Sequence, residues 1–311
     1  MSRRITALLA ACIALLIVGM IYLFFNQKKT KTEVETEPVT EVMTFVEGMN
    51  YAMPVPVPDS ANFAGELVPL NIFYVREQFD RELTVNTYWH SSTLLSLKRA
   101  ARWFPVIEPI LKENNIPDDF KYLALAESGL LNVVSPSGAT GFWQFLDKTG
   151  KEYGLTINKE VDERYHVAKS TEAACKYLNK AYGKFRNWTL VAASYNAGQG
   201  RIDDTMEKQL SGNYYDMLFP EETNRYVFRI LALKYIVENP IKYGFKLEEG
   251  DRYYPLTVKT LKITSTISDL ALFARQQNTT YRMLKELNPW LRSDKLTVRG
   301  GESFEILLPA I

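Results

Sequence analysis

The sequence predicts a mainly α-helical protein in three parts: an N-terminal apolar helix, a helical body and a small C-terminal unit of strands and helices. From about residue 62 to residue 240, apolar residues recur every three or four positions, which is the period of a helix with one buried face. Strand-like alternation is scarce before residue 250 and clear after it. With 311 residues, of which 46% are hydrophobic, the chain can bury one large core and a smaller one.

Residues 5–25 contain no charged side chain. As a helix, this segment is long enough to cross a hydrocarbon layer of about 30 Å. We therefore interpret it as a transmembrane helix within an anchor of residues 1–26. Basic residues lie on both sides of it and do not set its orientation by themselves. A short match to a lipoprotein cleavage site ending at Cys12 leaves a lipid anchor as the alternative.

Residues 27–61 are rich in Lys, Thr, Glu, Val and Pro and end with the alternating prolines of residues 54–58. This composition favours extended chain without internal hydrogen bonds. We expect a linker between the anchor and the body.

The body is expected to span residues 62–250. Helices are predicted between Leu94 and Leu111, from Pro117 onwards, and at residues 168–183, 188–197 and 222–237. Pro117 suits the first position of a helix, and the carboxylates of Asp118 and Asp119 are favoured by the positive end of the helix dipole. These two acids are therefore interpreted as caps and not as catalytic groups.

Residues 251–311 form the C-terminal unit. Alternation at residues 256–263 and 304–308 predicts two strands, and helical spacing at residues 268–276 and 280–287 predicts two helices between them. The result is a small β-α-α-β unit.

The composition excludes several functions. Lys and Arg total 37 against 36 Asp and Glu, which gives a net charge of +1 and no overall field to attract nucleic acid. His90 and His166 are the only histidines, and Cys12 and Cys175 the only cysteines, and no spacing among them is typical of metal ligands. We expect no nucleic-acid partner, no metal, no cofactor and no disulfide.

Glu127 is the first candidate for chemistry. It shares one helical face with Phe120 and Leu123. If that face is buried, desolvation raises the pKa of the carboxyl, as a general acid near neutral pH requires. The pattern alone equally allows a solvated or capping glutamate.

Two further segments carry polar groups. Residues 135–145 combine small residues with aromatics and Gln144, whose amide can donate and accept, while aromatic rings suit sugar faces. A turn followed by buried aromatics is the alternative there, and is expected for Phe142 and Phe145. Residues 192–200 place Tyr195 and Asn196 before a glycine, which by itself is a helix terminus.

Taken in order, these segments resemble the motifs of lytic transglycosylases with a goose-lysozyme-like fold. The matching runs are Glu127-Ser128, Gly141-Phe-Trp-Gln144, Ala193-Ser-Tyr195-Asn196-Ala-Gly198 and Glu222-Thr-Asn-Arg-Tyr226-Val227. The resemblance covers roughly residues 62–240, is greatest to the membrane-bound branch with LysM repeats, and implies a lysozyme-like α-helical catalytic domain. Many relatives have Gly-Leu-Met-Gln at the second motif, so Trp143 leaves the shape of the groove open. Residues 284–291 and 304–309 resemble a degenerate LysM module without its usual Gly-Asp turn.

The resemblance implies a role for each motif residue. Glu127 would protonate the glycosidic oxygen of a MurNAc-GlcNAc β-1,4 bond and then deprotonate the sugar's own hydroxymethyl group, which leaves a 1,6-anhydro-MurNAc end. Since no water is activated, one carboxylate suffices. Substrate binding would fall to Ser128, Ser135, Gln144, Tyr195, Asn196 and Tyr226, and Tyr226 would reach Glu127 or the adjacent sugar. Asp147 and Glu222 are expected to be mainly structural, and Glu222 can pair with Arg229 on one helical face.

The sequence therefore predicts a peptidoglycan lytic transglycosylase of the bacterial envelope. Its body would lie on the periplasmic or extracytoplasmic side, where its polymer partner is found. A hydrolytic muramidase of the same fold and a non-catalytic peptidoglycan-binding scaffold are the alternatives. The scaffold is less favoured because a binding protein does not need a protonatable carboxylate on an apolar face. The C-terminal module is expected either to bind glycan or to be a packing appendage.

Overall fold

The computed structural model describes residues 15–22 and 52–310. The chain divides into two compact units, Met1–Met53 and Pro54–Ile311. In the first unit, residues 15–22 are helical and exposed. Most of the expected transmembrane segment and linker lies outside the described residues. Among the residues that are described, no helix combines the length and apolar character that a membrane crossing requires.

The second unit begins with a hairpin and continues with helices. The hairpin pairs β1 (Ala61–Phe63) with β2 (Glu66–Val68). The helices that follow are α1 (Phe73–Tyr88), α2 (His90–Glu113), α3 (Phe120–Ser128), α4 (Asp147–Glu152), α5 (Val167–Phe185), α6 (Trp188–Ala197), α7 (Gln199–Gln209) and α8 (Glu221–Glu238). Short 3-10 turns lie at Glu163–Tyr165, Tyr214–Asp216, Pro240–Tyr243 and Glu249–Asp251.

The C-terminal module has the predicted order of strand, two helices and strand. It consists of β3 (Val258–Ile263), α9 (Leu270–Gln276), α10 (Tyr281–Leu287) and β4 (Phe304–Pro309). The two strands pair antiparallel, with Ile263 opposite Phe304. The mainly helical body and its small C-terminal sheet are thus confirmed.

Two local predictions at the start of the body are wrong. The helical pattern expected from residue 62 is a β-hairpin, in which Ala64 and Gly65 both have positive φ, as a two-residue type I′ turn requires. The helix expected from Pro117 begins at Phe120, and Asp119 makes no capping hydrogen bond. Asp119 instead accepts from the backbone N–H of Ala64 (2.6 Å) and pairs with Lys234 (2.7 Å), so it joins the hairpin to α8.

Helices α3 and α8 form the centre of the body. Residues 120–125 of α3 are all buried, and α8 packs against α1, α3 and α6. Burial of one helix on nearly all sides fixes its position tightly, because interiors are close-packed. The C-terminal end of α3 is therefore held rigidly against the middle of α8.

The hairpin also fixes α6. Glu66 accepts from the backbone N–H groups of Trp188 (2.6 Å) and Thr189 (2.9 Å) and from the Thr189 hydroxyl (2.7 Å). These N–H groups have no partner within the helix, and the positive end of the helix dipole favours a carboxylate. A side chain from β2 thus caps a helix more than 120 residues further along the chain.

We expect Glu66→Ala to lower the free energy of unfolding by about 1 to 2 kcal/mol, because it removes these hydrogen bonds from the start of α6. Urea denaturation would measure the loss. Glu77→Ala, at an exposed position of α1, is the matched control and should change stability by less than about 0.5 kcal/mol. Equal effects of the two substitutions would contradict the capping role.

Candidate active site

Glu127 lies in the last turn of α3. The helix ends at Gly129, which has the left-handed conformation (φ 61°) that a terminal glycine adopts readily. Glu127 is half-buried, and its Oε1 accepts a hydrogen bond from the hydroxyl of Tyr226. Tyr226 is 2% exposed and belongs to α8. The packing of α3 on α8 therefore places a phenol directly against the carboxyl group.

The surroundings of Glu127 favour its protonated form. Burial raises the pKa of Glu127 to about 7, because desolvation disfavours the carboxylate. The hydrogen bond from Tyr226 and the positive charge of Arg229 lower this pKa, and the charge of Glu222 raises it. Burial and the neighbouring Glu127 raise the pKa of Tyr226 well above its ordinary value, so Tyr226 remains a donor. Near neutral pH, Glu127 can both give and take a proton.

The end of α6 brings two more predicted residues to this place. The hydroxyl of Tyr195 donates to the carbonyl oxygen of Trp143 (2.7 Å), and burial followed by the charge of Glu127 raises the pKa of Tyr195. Asn196 donates to Glu222 (3.1 Å) and accepts from the hydroxyl of Thr223 (2.9 Å). The ends of α6 and α8 are thus joined beside Glu127.

Residues 140–145 form a tight turn, called here the Gln144 turn. Thr140 and Phe145 close it with two backbone hydrogen bonds (3.0 and 3.2 Å). Gln144 has positive φ (50°), and its amide nitrogen donates to the carbonyls of Gly141 (2.7 Å) and Val133 (3.2 Å). The Trp143 carbonyl that accepts from Tyr195 belongs to the same turn. The second motif is therefore connected to the third through backbone geometry.

The side chains of Ser128 and Ser135 make hydrogen bonds that hold the loop containing the Gln144 turn. Ser128 donates to the carbonyls of Ala124 (3.2 Å) and Phe142 (3.0 Å), which ties the turn to α3. Ser135 accepts from the backbone N–H of Ala139 (3.0 Å) and lies 2.9 Å from the hydroxyl of Ser137. Both serines thus bond to backbone groups, and these hydrogen bonds help to fix the conformation of the loop.

The aromatic residues of the turn are structural. Phe142 and Phe145 are buried, as expected. Trp143 is also fully buried, and its indole N–H donates to the hydroxyl of Thr171 (2.9 Å). The alternative of a turn followed by buried aromatics is therefore confirmed for Phe142 and Phe145, and it holds for Trp143 as well.

Glu222 and Arg229, whose helical spacing allows them to pair, have other partners in the structure. Glu222 accepts from Asn196, while Arg229 faces Glu82, with 4.0 Å between Nε and Oε2. Asp147, the other acid near the second motif, pairs with Lys151 four residues later (2.8 Å).

Sequence reasoning missed Glu82 of α1. This carboxylate is 1% exposed and accepts from Arg225 (2.6 Å) while lying 4.0 Å from Arg229. It shares a buried face with Phe79 and Leu83, which is the same signal that marked Glu127: a charge on an apolar helical face. Glu82 holds Arg229, whose charge lowers the pKa of Glu127.

Arg164 was also missed. Its Nη1 donates to the carbonyls of Gly138 and Phe145 (both 3.2 Å), on either side of the Gln144 turn. Its other nitrogens donate to both carboxylate oxygens of Asp162 (2.9 and 2.7 Å). No local pattern marks Arg164, because the carbonyls it binds lie 19 and 26 residues away.

A cavity of about 620 Å³ lies elsewhere, between the body and the C-terminal module. It is lined mainly by apolar side chains, among them Leu130, Phe142 and Trp290. Glu127 is not among the lining residues, so this cavity is separate from the acid group.

Two regions of the chain match known protein families. Residues 104–217 match the transglycosylase SLT domain, and residues 259–311 match the soluble lytic transglycosylase C-terminal LysM-like domain. The chain thus carries a transglycosylase SLT domain followed by a LysM-like domain. The first match contains Glu127 and Asn196 but ends before Tyr226.

The chain is homologous to membrane-bound lytic murein transglycosylase D of Escherichia coli. It is 29% identical to the protein of strain K12 over 234 residues, which are 73% of this chain and 50% of that protein. The protein of strain O6:H1 gives the same values. The chain spans about half the length of these curated relatives.

Two solved structures are also similar. An inactive mutant of lytic transglycosylase Slt from Pseudomonas aeruginosa gives a TM-score of 0.39 at 19% identity, over 58% of this chain and 35% of that one. The 70 kDa soluble lytic transglycosylase of Escherichia coli gives 0.41 at 17% identity, over 70% and 43%.

Gly141→Ala should destabilise the protein more than Gly138→Ala. Both glycines have positive φ (82° and 81°), but a Cβ at Gly141 would lie 1.9 Å from the carbonyl oxygen of Arg164, whereas at Gly138 nothing lies within 4 Å. We expect a loss of about 1 kcal/mol at Gly138 from backbone strain alone and at least about 2 kcal/mol at Gly141. Urea denaturation of both variants separates strain from overlap, and equal losses would contradict the close approach of Arg164.

Proposed function

We propose that this protein is a peptidoglycan lytic transglycosylase. The observation that supports it most is the carboxyl group of Glu127, whose pKa is raised to about 7 and which is hydrogen-bonded to Tyr226 within a transglycosylase SLT domain. The substrate is the MurNAc-GlcNAc β-1,4 bond of the glycan strand, and the products carry 1,6-anhydro-MurNAc ends.

In the first step, protonated Glu127 donates its proton to the glycosidic oxygen as the bond to the MurNAc anomeric carbon breaks. In the second, the Glu127 carboxylate takes the proton of the C6 hydroxyl, whose oxygen bonds to that anomeric carbon. Glu127 thus regains in the second step the proton that it gave up in the first, and no water takes part. Tyr226 remains bonded to Glu127 throughout, and this hydrogen bond stabilises the carboxylate between the two steps.

The remaining motif residues are proposed to shape the glycan groove. Gln144, Tyr195 and Asn196 would line it beside Glu127, with Tyr226 at its base. Ser128 and Ser135 would contribute through the loop that they hold. Because many of these polar groups are already bonded to backbone or to one another, the groove is pre-organised, which favours transition-state stabilisation over adaptable binding.

We further propose that residues 5–25 anchor the protein in a membrane with its N-terminus inside and its body in the bacterial envelope. The uncharged run of these residues supports this, as does the homologue named as membrane-bound. In this arrangement, residues 27–61 tether a catalytic domain of residues 62–250 and a LysM-like domain of residues 251–311. The LysM-like match supports a second peptidoglycan contact.

Mass spectrometry of the fragments released from isolated peptidoglycan tests the reaction. We expect anhydro-muramoyl ends from the parent protein. Glu127→Gln should lower their release about 100-fold or more, because the amide cannot donate the proton. Glu207→Gln, at an exposed position of α7, is the matched control and should match the parent.

Reducing ends one water heavier would convert the assignment to the hydrolytic muramidase. Binding without release by the parent protein would favour the non-catalytic scaffold. Substantial cleavage by Glu127→Gln would contradict the role of Glu127 whatever the product.

The pH dependence of kcat/KM supplies a second test. A general acid must be protonated, so activity should be present below the pKa of Glu127 and fall as the pH rises through about 7. Tyr226 lowers this pKa and Glu222 raises it. Tyr226→Phe should therefore move the falling limb to higher pH, and Glu222→Gln should move it to lower pH. Shifts in the same direction for both variants would contradict the assignment of the limb to Glu127.

A further inference from the structure

Among the described residues, one side chain of the catalytic body, Val161, is buried in the core of the LysM-like module, and Tyr165 packs against that core. Val161 is 2% exposed and lies in the apolar cluster formed by the module, together with Leu284, Leu291 and Ile306. Its backbone pairs with that of Leu291 as an antiparallel bridge. An inserted residue with backbone pairing fixes position more firmly than a flexible tether would.

Polar contacts surround this insertion. The carbonyl of Glu160 accepts from the N–H of Arg292 (2.7 Å), and its carboxylate accepts from the N–H of Thr297 (2.8 Å). The N–H of Asp162 donates to the carbonyl of Trp290 (2.9 Å). Residues 160–164, called here the bridging segment, are therefore docked on the module along residues 290–297.

The opposite side of the bridging segment touches the Gln144 turn. Arg164, held by both oxygens of Asp162, donates to the carbonyls of Gly138 and Phe145. The carbonyl of Arg164 lies so close to Gly141 that no Cβ fits between them. Asp162 thus bonds to the module with its backbone and to Arg164 with its side chain.

The Gln144 turn needs such support. A non-glycine residue with positive φ, as Gln144 has here, costs about 1 kcal/mol or more and persists only when its surroundings impose it. On one side the turn is held by Ser128 and Tyr195 through the carbonyls of Phe142 and Trp143. On the other side it is held by Arg164.

We propose that the docked LysM-like module positions the Gln144 turn for glycan cleavage, acting through Val161 and the positioning residue Arg164. The proposal rests on the function proposed above, because the turn carries Gln144. It gives the module a task within the catalytic site in addition to any glycan binding of its own. Cleavage of a substrate too short to reach the module should therefore still depend on docking.

The test compares Val161→Asp with Val161→Ile in the full chain. Aspartate places a carboxylate in the apolar core of the module and should undock it, whereas isoleucine keeps an apolar side chain. Hydrogen exchange at the N–H groups of Asp162 and Arg292 reports docking. Exchange at Thr140, Gly141 and Phe145 reports the turn, since these N–H groups are bonded within the loop. Turnover of a short soluble glycan reports the consequence.

For Val161→Asp we expect faster exchange at both sets of amides, by about tenfold or more, and a fall in kcat/KM on the short glycan of about tenfold or more. Val161→Ile should resemble the parent in all three readouts. Arg164→Met should loosen the turn and lower kcat/KM while the docking amides remain protected. If Val161→Asp does not fold, Arg164→Met still tests whether Arg164 holds the turn.

Undocking that leaves the turn amides and kcat/KM within about twofold of the parent would overturn the proposal. So would an unchanged turn in Arg164→Met. If the parent protein cleaves no glycan, the proposed function fails, and the exchange rates still show whether docking holds the turn.

Discussion

The hydrogen bond between Tyr226 and Glu127 is the interaction on which the candidate active site depends. An ionised carboxylate in apolar surroundings costs several kcal/mol unless it is paired. The protein gives Glu127 a neutral phenol as its nearest partner, which supports the carboxylate without the strong preference that a cation would impose. The group is therefore left near the midpoint of its titration at neutral pH, where one residue can serve as acid and then as base.

Glu82 shows that the role of a buried carboxylate depends on its hydrogen-bond partner. Like Glu127, it lies on the apolar face of its helix, but it accepts from Arg225 and faces Arg229 across 4.0 Å. Its carboxylate is thereby used to orient cations that lie between α1 and α8. Arg229 connects the two glutamates, because it faces the first and lowers the pKa of the second. A glutamate on an apolar helical face therefore has a structural role in α1, whereas in α3 it is positioned for acid–base chemistry.

Part of the fold and of the candidate site could be predicted from the sequence. Apolar periodicity located five of the eight described helices of the body, α2, α3, α5, α6 and α8, and the four elements of the module. It gave no separate prediction for α1, α4 or α7. The apolar helical face made Glu127 a candidate, and the resemblance assigned roles to Glu127 and to its motif partners. The anchor of residues 5–25 stays a prediction, since most of it lies outside the described residues.

The features that could not be predicted from the sequence depend on contacts between residues that are far apart along the chain. The hairpin of residues 61–68 and the bonds of Asp119 exist because the chain returns to them from α8. The complete burial of Trp143 could not be predicted, because Thr171 and the core residues that enclose it lie elsewhere in the sequence. Arg164 and Val161 carry no local signal at all, because the groups they support belong to a loop about twenty residues earlier and a module more than one hundred residues later.

The most direct measurement is a titration of the Glu127 side chain by carbon NMR, with the resonance assigned from its absence in Glu127→Gln. The account predicts a midpoint near 7, because the carboxyl is desolvated and has only a neutral hydrogen-bond donor beside it. A midpoint near the ordinary value of 4.5 would mean that Glu127 has lost its proton at neutral pH, and would contradict its place as the acid of this site.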